Sequence, residues 1–266
     1  MKRFNSMLHF ANFDRKYSTR FARKLYKIFI DLRENALPKG WAEDIITAVD
    51  VQYKRNLNEF YNELVEVSFG NVQEFLKEHQ LDISNDSIRY SVYQAINQRG
   101  ASLITNMAEL EKEKLTYLME YLGHEMSYAD IAKEYRNYIG LTKPQMERLL
   151  KMEKELKEEG LAESKIQKTL ERASKKMLRH RSLVIARTEM AYSYSTAQNT
   201  HFSYYQTQSG KQINKIWRVS PDDLTCEICI NLDGEKVNVN EAFSTGVAGP
   251  PAHPSCRCYL IYEVED

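Results

Sequence analysis

CEICINLDGEKVNVNEAFSTGVAGPPAHPSCRC, residues 226–258, holds every cysteine of the chain, and the 225 residues before it hold none. Its spacing is Cys-x2-Cys, 23 intervening residues, then His-x2-Cys-x-Cys. Two short-range pairs separated by a loop are how a structural zinc site is built, each pair supplying half of a tetrahedron. Such a site takes four thiolate or imidazole donors, and five are present. His253 and Cys256 flank Pro254 and Ser255 and can converge within one turn. The first-choice set is therefore Cys226, Cys229, His253 and Cys256, with Cys258 packed in the core; the runner-up uses Cys258 in place of His253. Four buried unligated thiols have no reason to cluster, because a free cysteine needs no thiol neighbours to pack.

The same stretch argues against catalytic metal. A zinc deaminase needs His-x-Glu ahead of Pro-Cys-x-x-Cys, whereas here Cys-x-x-Cys comes first and no His-x-Glu occurs in the sequence. There is no His-Glu-x-x-His, no Gly-x-Ser-x-Gly and no phosphate-binding glycine loop. The expectation is a protein that is not an enzyme and has no small-molecule substrate.

Upstream, the pattern is helical. Phe13, Tyr17, Phe21, Leu25, Ile28, Phe29, Leu32 and Ala36 recur at spacings of three and four, until Pro-Lys-Gly at 38–40 ends the run. A second stripe covers 41–67 from Trp41 to Val67. Asn85 or Asp86 caps a third helix through Ile88, Val92, Ile96 and Leu103. A fourth runs through Leu110, Leu115, Leu118 and Leu122 to Gly123, and Ser127 with Asp130 resembles the capping box of a fifth. In GLTKPQMERLL, Thr142 caps, Pro144 lies in the first turn and Gln145 completes a capping box; Gly160 ends that helix. The next starts near Ser164 and leads into Met190, Tyr194, Ala197, His201 and Tyr205 on one face. Arg187 and Glu189, two apart, cannot face each other on a helix, so each is expected to meet another segment. The turn TQSGK at 207–211 is the best boundary. The expected fold is mainly α: an elongated multi-helix domain over 1–206, followed by a small C-terminal α+β zinc-stabilised module over 211–266.

The chain carries 37 basic and 37 acidic residues, unevenly placed. Residues 2–27 hold eight Lys/Arg against Asp14 alone, and residues 165–181 hold seven against Glu171 alone. The module from 217 onward is acidic, so phosphate groups would repel it. Any contact with DNA is expected from Arg20, Arg23 and Lys24 or from Lys175, Lys176 and Arg179, although a solvated helix face is the ordinary reading of both stretches. No apolar run approaches the ~18–20 residues needed to cross a bilayer. The basic N-terminus meets Asn12, Asp14 and Arg15 before an apolar core of a secretory signal can form. A reducing cytoplasm is expected, where clustered cysteines favour metal over disulfide.

GLTKPQ, a charged helix, LVIARTEMAYSYSTAQ, KIWRVSPDDLTCEICINLDG and PPAHPSCRCYL follow one another in order. This string, over about residues 130–262, resembles the phage head morphogenesis family, the Mu F-like minor head proteins of tailed bacteriophages and prophages. The resemblance implies a low-copy protein of the immature capsid, in the host cytoplasm during assembly and then in the virion. It implies association with the portal and other prohead components, a role in head assembly and in packaging or delivering the genome, and no established enzymatic activity for this region. The first ~130 residues carry no family motif.

Overall fold

The computed structural model describes residues 1–35, 42–81, 86–122, 134–221 and 225–265. The expected break at 38–40 and the residues Ala36, Trp41, Asn85, Gly123, Ser127 and Asp130 lie outside the described residues.

In chain order the elements are β1 (Lys2–Asn5), α1 (Met7–Asn35), α2 (Ala42–Glu78), α3 (Asp86–Leu122), a 3-10 turn (Arg136–Tyr138), α4 (Lys143–Glu158), α5 (Glu163–Ser209), β2 (Ile213–Arg218), α6 (Glu227–Leu232), β3 (Lys236–Asn238) and β4 (Tyr259–Val264). The protein is thus mainly helical with a small C-terminal strand region, as the periodicity predicts. Three differences have local causes. Helix α2 continues past Val67 because Phe69, Val72, Phe75 and Leu76 prolong its buried stripe. The segments 88–103 and 110–122 form one helix, α3, since no proline lies between them to remove a backbone donor. And Lys2–Asn5, too short for periodicity to mark, is a strand. The start of α4 follows its sequence signal: Thr142 caps, Gln145 completes the capping box and Pro144 stands in the first turn.

The residues group into two compact units. Unit 1 comprises Met1–Phe21, Phe60–Arg99 and Val184–Asp266; unit 2 comprises Ala22–Glu59 and Gly100–Leu183. The cysteine segment shares its unit with the first 21 residues and with parts of α2, α3 and α5.

In unit 2, buried charge holds the strap that leads into α4. Lys114, fully buried, donates to the carbonyls of Tyr138 (2.9 Å) and Leu141 (2.6 Å) and pairs with Glu111 at 2.7 Å. Glu111 in turn accepts from the Gly140 amide (3.0 Å) and the Tyr135 hydroxyl (2.6 Å). Arg33 donates to the Ile139 carbonyl and the Ser174 hydroxyl, and Arg181 to the Gly140 carbonyl. Burial pushes the Lys114 ammonium down to about 8, with Glu111 pulling it back up. Gly140 is required twice over: its φ is +80°, and a Cβ there would lie 2.8 Å from the Phe29 ring.

Unit 1 is built on a four-stranded antiparallel sheet in the order β1-β4-β2-β3. One face carries Phe4, Tyr262, Leu260, Lys215 and Trp217, because alternate residues of a strand point the same way. Tyr262 stacks on Phe202 of α5 with ring centroids 4.0 Å apart, and Phe4 packs on Phe202 and on His79 at the end of α2. The other face holds a charge ladder in which Glu263 of β4 pairs with Arg3 of β1 (3.1 Å) and Lys236 of β3 (2.9 Å).

Candidate metal centre

Strand β2 delivers the chain to Cys226, which stands at the head of α6 in extended conformation. Cys229 follows on the first turn, three residues on, so both side chains lie on one side of the short helix. Leu232 anchors α6 in the core, the Asp233 carboxylate accepts from the Val219 amide (3.1 Å), and Gly234, at φ +83°, donates to the Trp217 carbonyl (2.9 Å). This Leu-Asp-Gly corner turns the chain into β3. The long loop that returns to the cysteines is pinned by Lys215, which donates to the carbonyls of Val239 (3.0 Å) and Ala248 (2.7 Å). Burial holds that ammonium near 8.

The second half of the site is pressed against α5. At Gly249 a Cβ would lie 2.3 Å from the Ser195 hydroxyl oxygen and 3.1 Å from Asn199, so the backbone approaches the helix as only glycine allows. Asn199 donates to the Ala248 carbonyl (3.0 Å) and accepts from the Tyr262 hydroxyl (2.7 Å). The turn at 253–256 closes with the Cys256 amide on the His253 carbonyl, while the Ser255 amide donates to the Thr188 hydroxyl (2.9 Å).

These constraints bring the donors together. Nε2 of His253 lies 3.2 Å from Cys226 Sγ and 3.1 Å from Cys229 Sγ, and Cys229 Sγ lies 3.7 Å from Cys256 Sγ. A tetrahedral zinc with bonds near 2.3 Å to sulfur and 2.0–2.1 Å to nitrogen separates its sulfurs by about 3.8 Å, and sulfur from nitrogen by about 3.6 Å. The observed spacings match or fall slightly inside that figure. Nδ1 of His253 faces the Pro254 carbonyl at 2.9 Å. A carbonyl only accepts, so the proton resides on Nδ1 and the Nε2 lone pair points at the sulfurs, the tautomer a metal requires.

Cys258, expected in the core, is indeed buried, but its Sγ also lies within 4.8 Å of Cys229 and Cys256. Both Cys256 and Cys258 precede β4. The signal was in the spacing, since residues two apart on extended backbone point to the same side. All four thiols are free, and those of Cys229, Cys256 and Cys258 are buried. Burial pushes Cys229 up to about 12; a hydrogen bond from Cys258 pulls Cys256 down to about 5, and that same bond with burial drives Cys258 up. The donors fall into two triads that share Cys229, namely Cys226, Cys229 and His253, and Cys229, Cys256 and Cys258, each of which could hold a metal ion once its thiols are deprotonated.

Four residues of Ile-Ala-Arg-Thr-Glu at 185–189 now have a place. Ala186 is fully buried and Thr188 holds the cysteine turn. Glu189 accepts both guanidinium donors of Arg99 at 3.0 Å and the Tyr61 hydroxyl at 3.4 Å. Arg187 and Arg257 both lower the carboxyl of Asp14, which burial raises. Arg187 and Glu189 therefore do not pair with each other, as their spacing predicts. Thr188, Ser195, Asn199 and Lys215 position the site and were not singled out from sequence; nothing in their spacing relates them to the cysteines.

The basic candidates are less uniform than their sequence suggests. Arg20 is paired with Glu63. Arg23 is exposed and Lys24 half-buried. Lys175 is paired with Glu171 at 2.5 Å, Arg179 stacks over Tyr26 at 5.2 Å, and Lys176 is exposed.

A helical scaffold carrying a Cys/His knuckle able to hold a metal ion is what fold and site define. Residues 151–261 match the family described as phage Mu protein F like protein. That segment, from the middle of α4 into β4, is thus similar to the phage head morphogenesis family that the motif string resembles. No curated protein and no solved structure matches the chain. No helix among the described residues is long and apolar enough to cross a membrane.

Proposed function

We propose that this protein is a minor capsid component of a tailed phage or prophage head, associated with the portal, acting in head assembly and in packaging or delivery of the genome. The observation that carries the reading is the coincidence of the family-matched segment with the metal knuckle and the helix that supports it. Its role is structural rather than enzymatic: the residues around the knuckle position one another and the five donors. The ion is Zn2+, held by Cys226, Cys229, His253 and Cys256, with Cys258 donating its thiol proton to the Cys256 sulfur from outside the tetrahedron. Zinc suits a set of thiolates and one imidazole with no open position.

Mass spectrometry of purified proheads and virions tests the reading. The protein should be present at far lower abundance than the major capsid protein and should co-purify with the portal. A deletion should give misformed or poorly infectious particles. Absence from both particles, with normal infectivity of the deletion, refutes it. Binding of DNA through the helices at 2–27 and 165–181 is a second reading; it is weakened by the pairing of Arg20 and Lys175 with carboxylates. A gel shift whose affinity falls steeply with salt is the result that would favour it.

A further inference from the structure

Helices α4 and α5 of unit 2 line a groove of about 660 Å³ with two matched stripes. On α4, Arg148 and Met152 are four residues apart; on α5, so are Ala173 and Met177, and Lys176 and His180. Steps of four keep side chains on one helix face. The floor is Met152, Ala173 and Met177, each half-buried, and the rim is Arg148, Lys176 and His180, each exposed. No acidic residue lines the groove. Elsewhere on the same two helices Lys151, Lys154, Lys157 and Lys175 are each paired with a glutamate, whereas Arg148 and Lys176 make no ion pair among the described residues.

An apolar floor between unneutralised cations has a definite complement. We propose that the groove is the docking site for an acidic amphipathic helix of another protein. The α4 stripe from Pro144 to Met152 spans about 12 Å, two helical turns at 1.5 Å per residue. The partner therefore presents two or three apolar side chains, at i, i+3 or i+4 and i+7, to Met152, Ala173 and Met177. Aspartate or glutamate on its flanks meets Arg148 and Lys176. Methionine suits the floor because its unbranched thioether adapts to whichever anchor enters. A nucleic-acid backbone would use the rim but gain nothing from the floor, so the acidic helix is the better fit. The inference needs only the groove and stands apart from the head-assembly reading.

The test uses the full-length protein with 13C-methyl methionine. The probe is a synthetic acidic helix of about three turns with leucines at the spacing above, and the control is the same composition scrambled. The acidic helix should bind in the micromolar range and shift the Met152 and Met177 methyl signals to saturation. Arg148→Glu with Lys176→Glu should weaken binding about tenfold, the combined effect of two rim charges, and leave the melting curve unchanged. Equal binding of the scrambled peptide, or binding that leaves those two methyls unmoved, overturns the proposal. So does a DNA duplex that shifts the same methyls more tightly than the peptide, which would make this a phosphate site. Concentration-dependent shifts of those signals in the protein alone would assign the groove to a second copy and would also overturn it.

Discussion

Arg99→Met tests whether the helix that supports the knuckle is locked by a buried ion pair. Glu189 has a side chain only 4% exposed, and both donors that reach it from Arg99 lie at 3.0 Å. Removing one partner of a buried pair costs about 3–5 kcal/mol. The Arg99 side chain is 32% exposed, so water replaces part of what it supplies, and about 2–3 kcal/mol is the expected loss near pH 8. For a chain of this size that is a fall of about 4–12 °C in Tm. The pH dependence carries a sign. Burial raises the Glu189 carboxyl above its ordinary value, while Arg99 and Tyr61 pull it back. A raised carboxyl means that the folded state binds the proton more tightly, so stability falls as pH rises through the folded value. Losing Arg99 raises it further and widens that window. At pH 5 more of the variant's carboxyl is protonated than at pH 8, so the loss should be smaller there, the contribution of the guanidinium stack over Tyr192 remaining. Urea unfolding followed by far-UV circular dichroism at both pH values measures this. In Glu189→Gln with Arg99→Met the pH dependence should vanish. Equal losses at pH 5 and pH 8, or a double variant that keeps the dependence, would refute the reasoning.

Purified protein should carry about one zinc per chain by elemental analysis. Cys226→Ser, Cys229→Ser and His253→Ala should each release it, with Cys258→Ser retaining it; metal-free protein with an unchanged melt would exclude the site. Gly249→Ala should cost about 1–3 kcal/mol by overpacking against Ser195, and Ser195→Ala in the same chain should recover most of it if that contact is the cause. The Lys114 ammonium is depressed to about 8 in the folded state against 10.5 for the free group, so the folded state binds fewer protons in that window. Stability of the native protein relative to Lys114→Met should therefore rise between about pH 8 and pH 10.5, and parallel unfolding free energies across that range would show the lysine to be paired differently.

What could be read in advance was what local chemistry decides. The capping box of Thr142 and Gln145 is a contest between neighbouring groups, and it came out as written. The cysteine and histidine spacing is likewise local, and the five donors gather in two triads that share Cys229. The distance from Arg187 to Glu189 correctly implied separate partners, but their identities depend on segments remote in sequence. Arg99 lies 90 residues from Glu189. Nothing in the sequence marks Lys215 or Lys114, since only the packed fold shows that each satisfies two carbonyls from inside. The pairing of strands is likewise decided by remote partners: β2 finds its neighbours in β3 and β4, with β1 added beyond.

That last strand has a consequence for the order of events in synthesis. Residues 2–5 leave the ribosome well before their register partner, 261–264, is made. The hydroxyl of Ser6 and the carbonyl of Leu260, which bond in the finished sheet, are 254 residues apart. At about 5–20 residues per second, the first strand waits roughly 13–50 s for its neighbour. Throughout that interval Phe4 has no complete surface to bury against. The cell must therefore tolerate a nascent chain in which Phe4 stays available to chaperones, and to other strands, until residues 261–264 arrive.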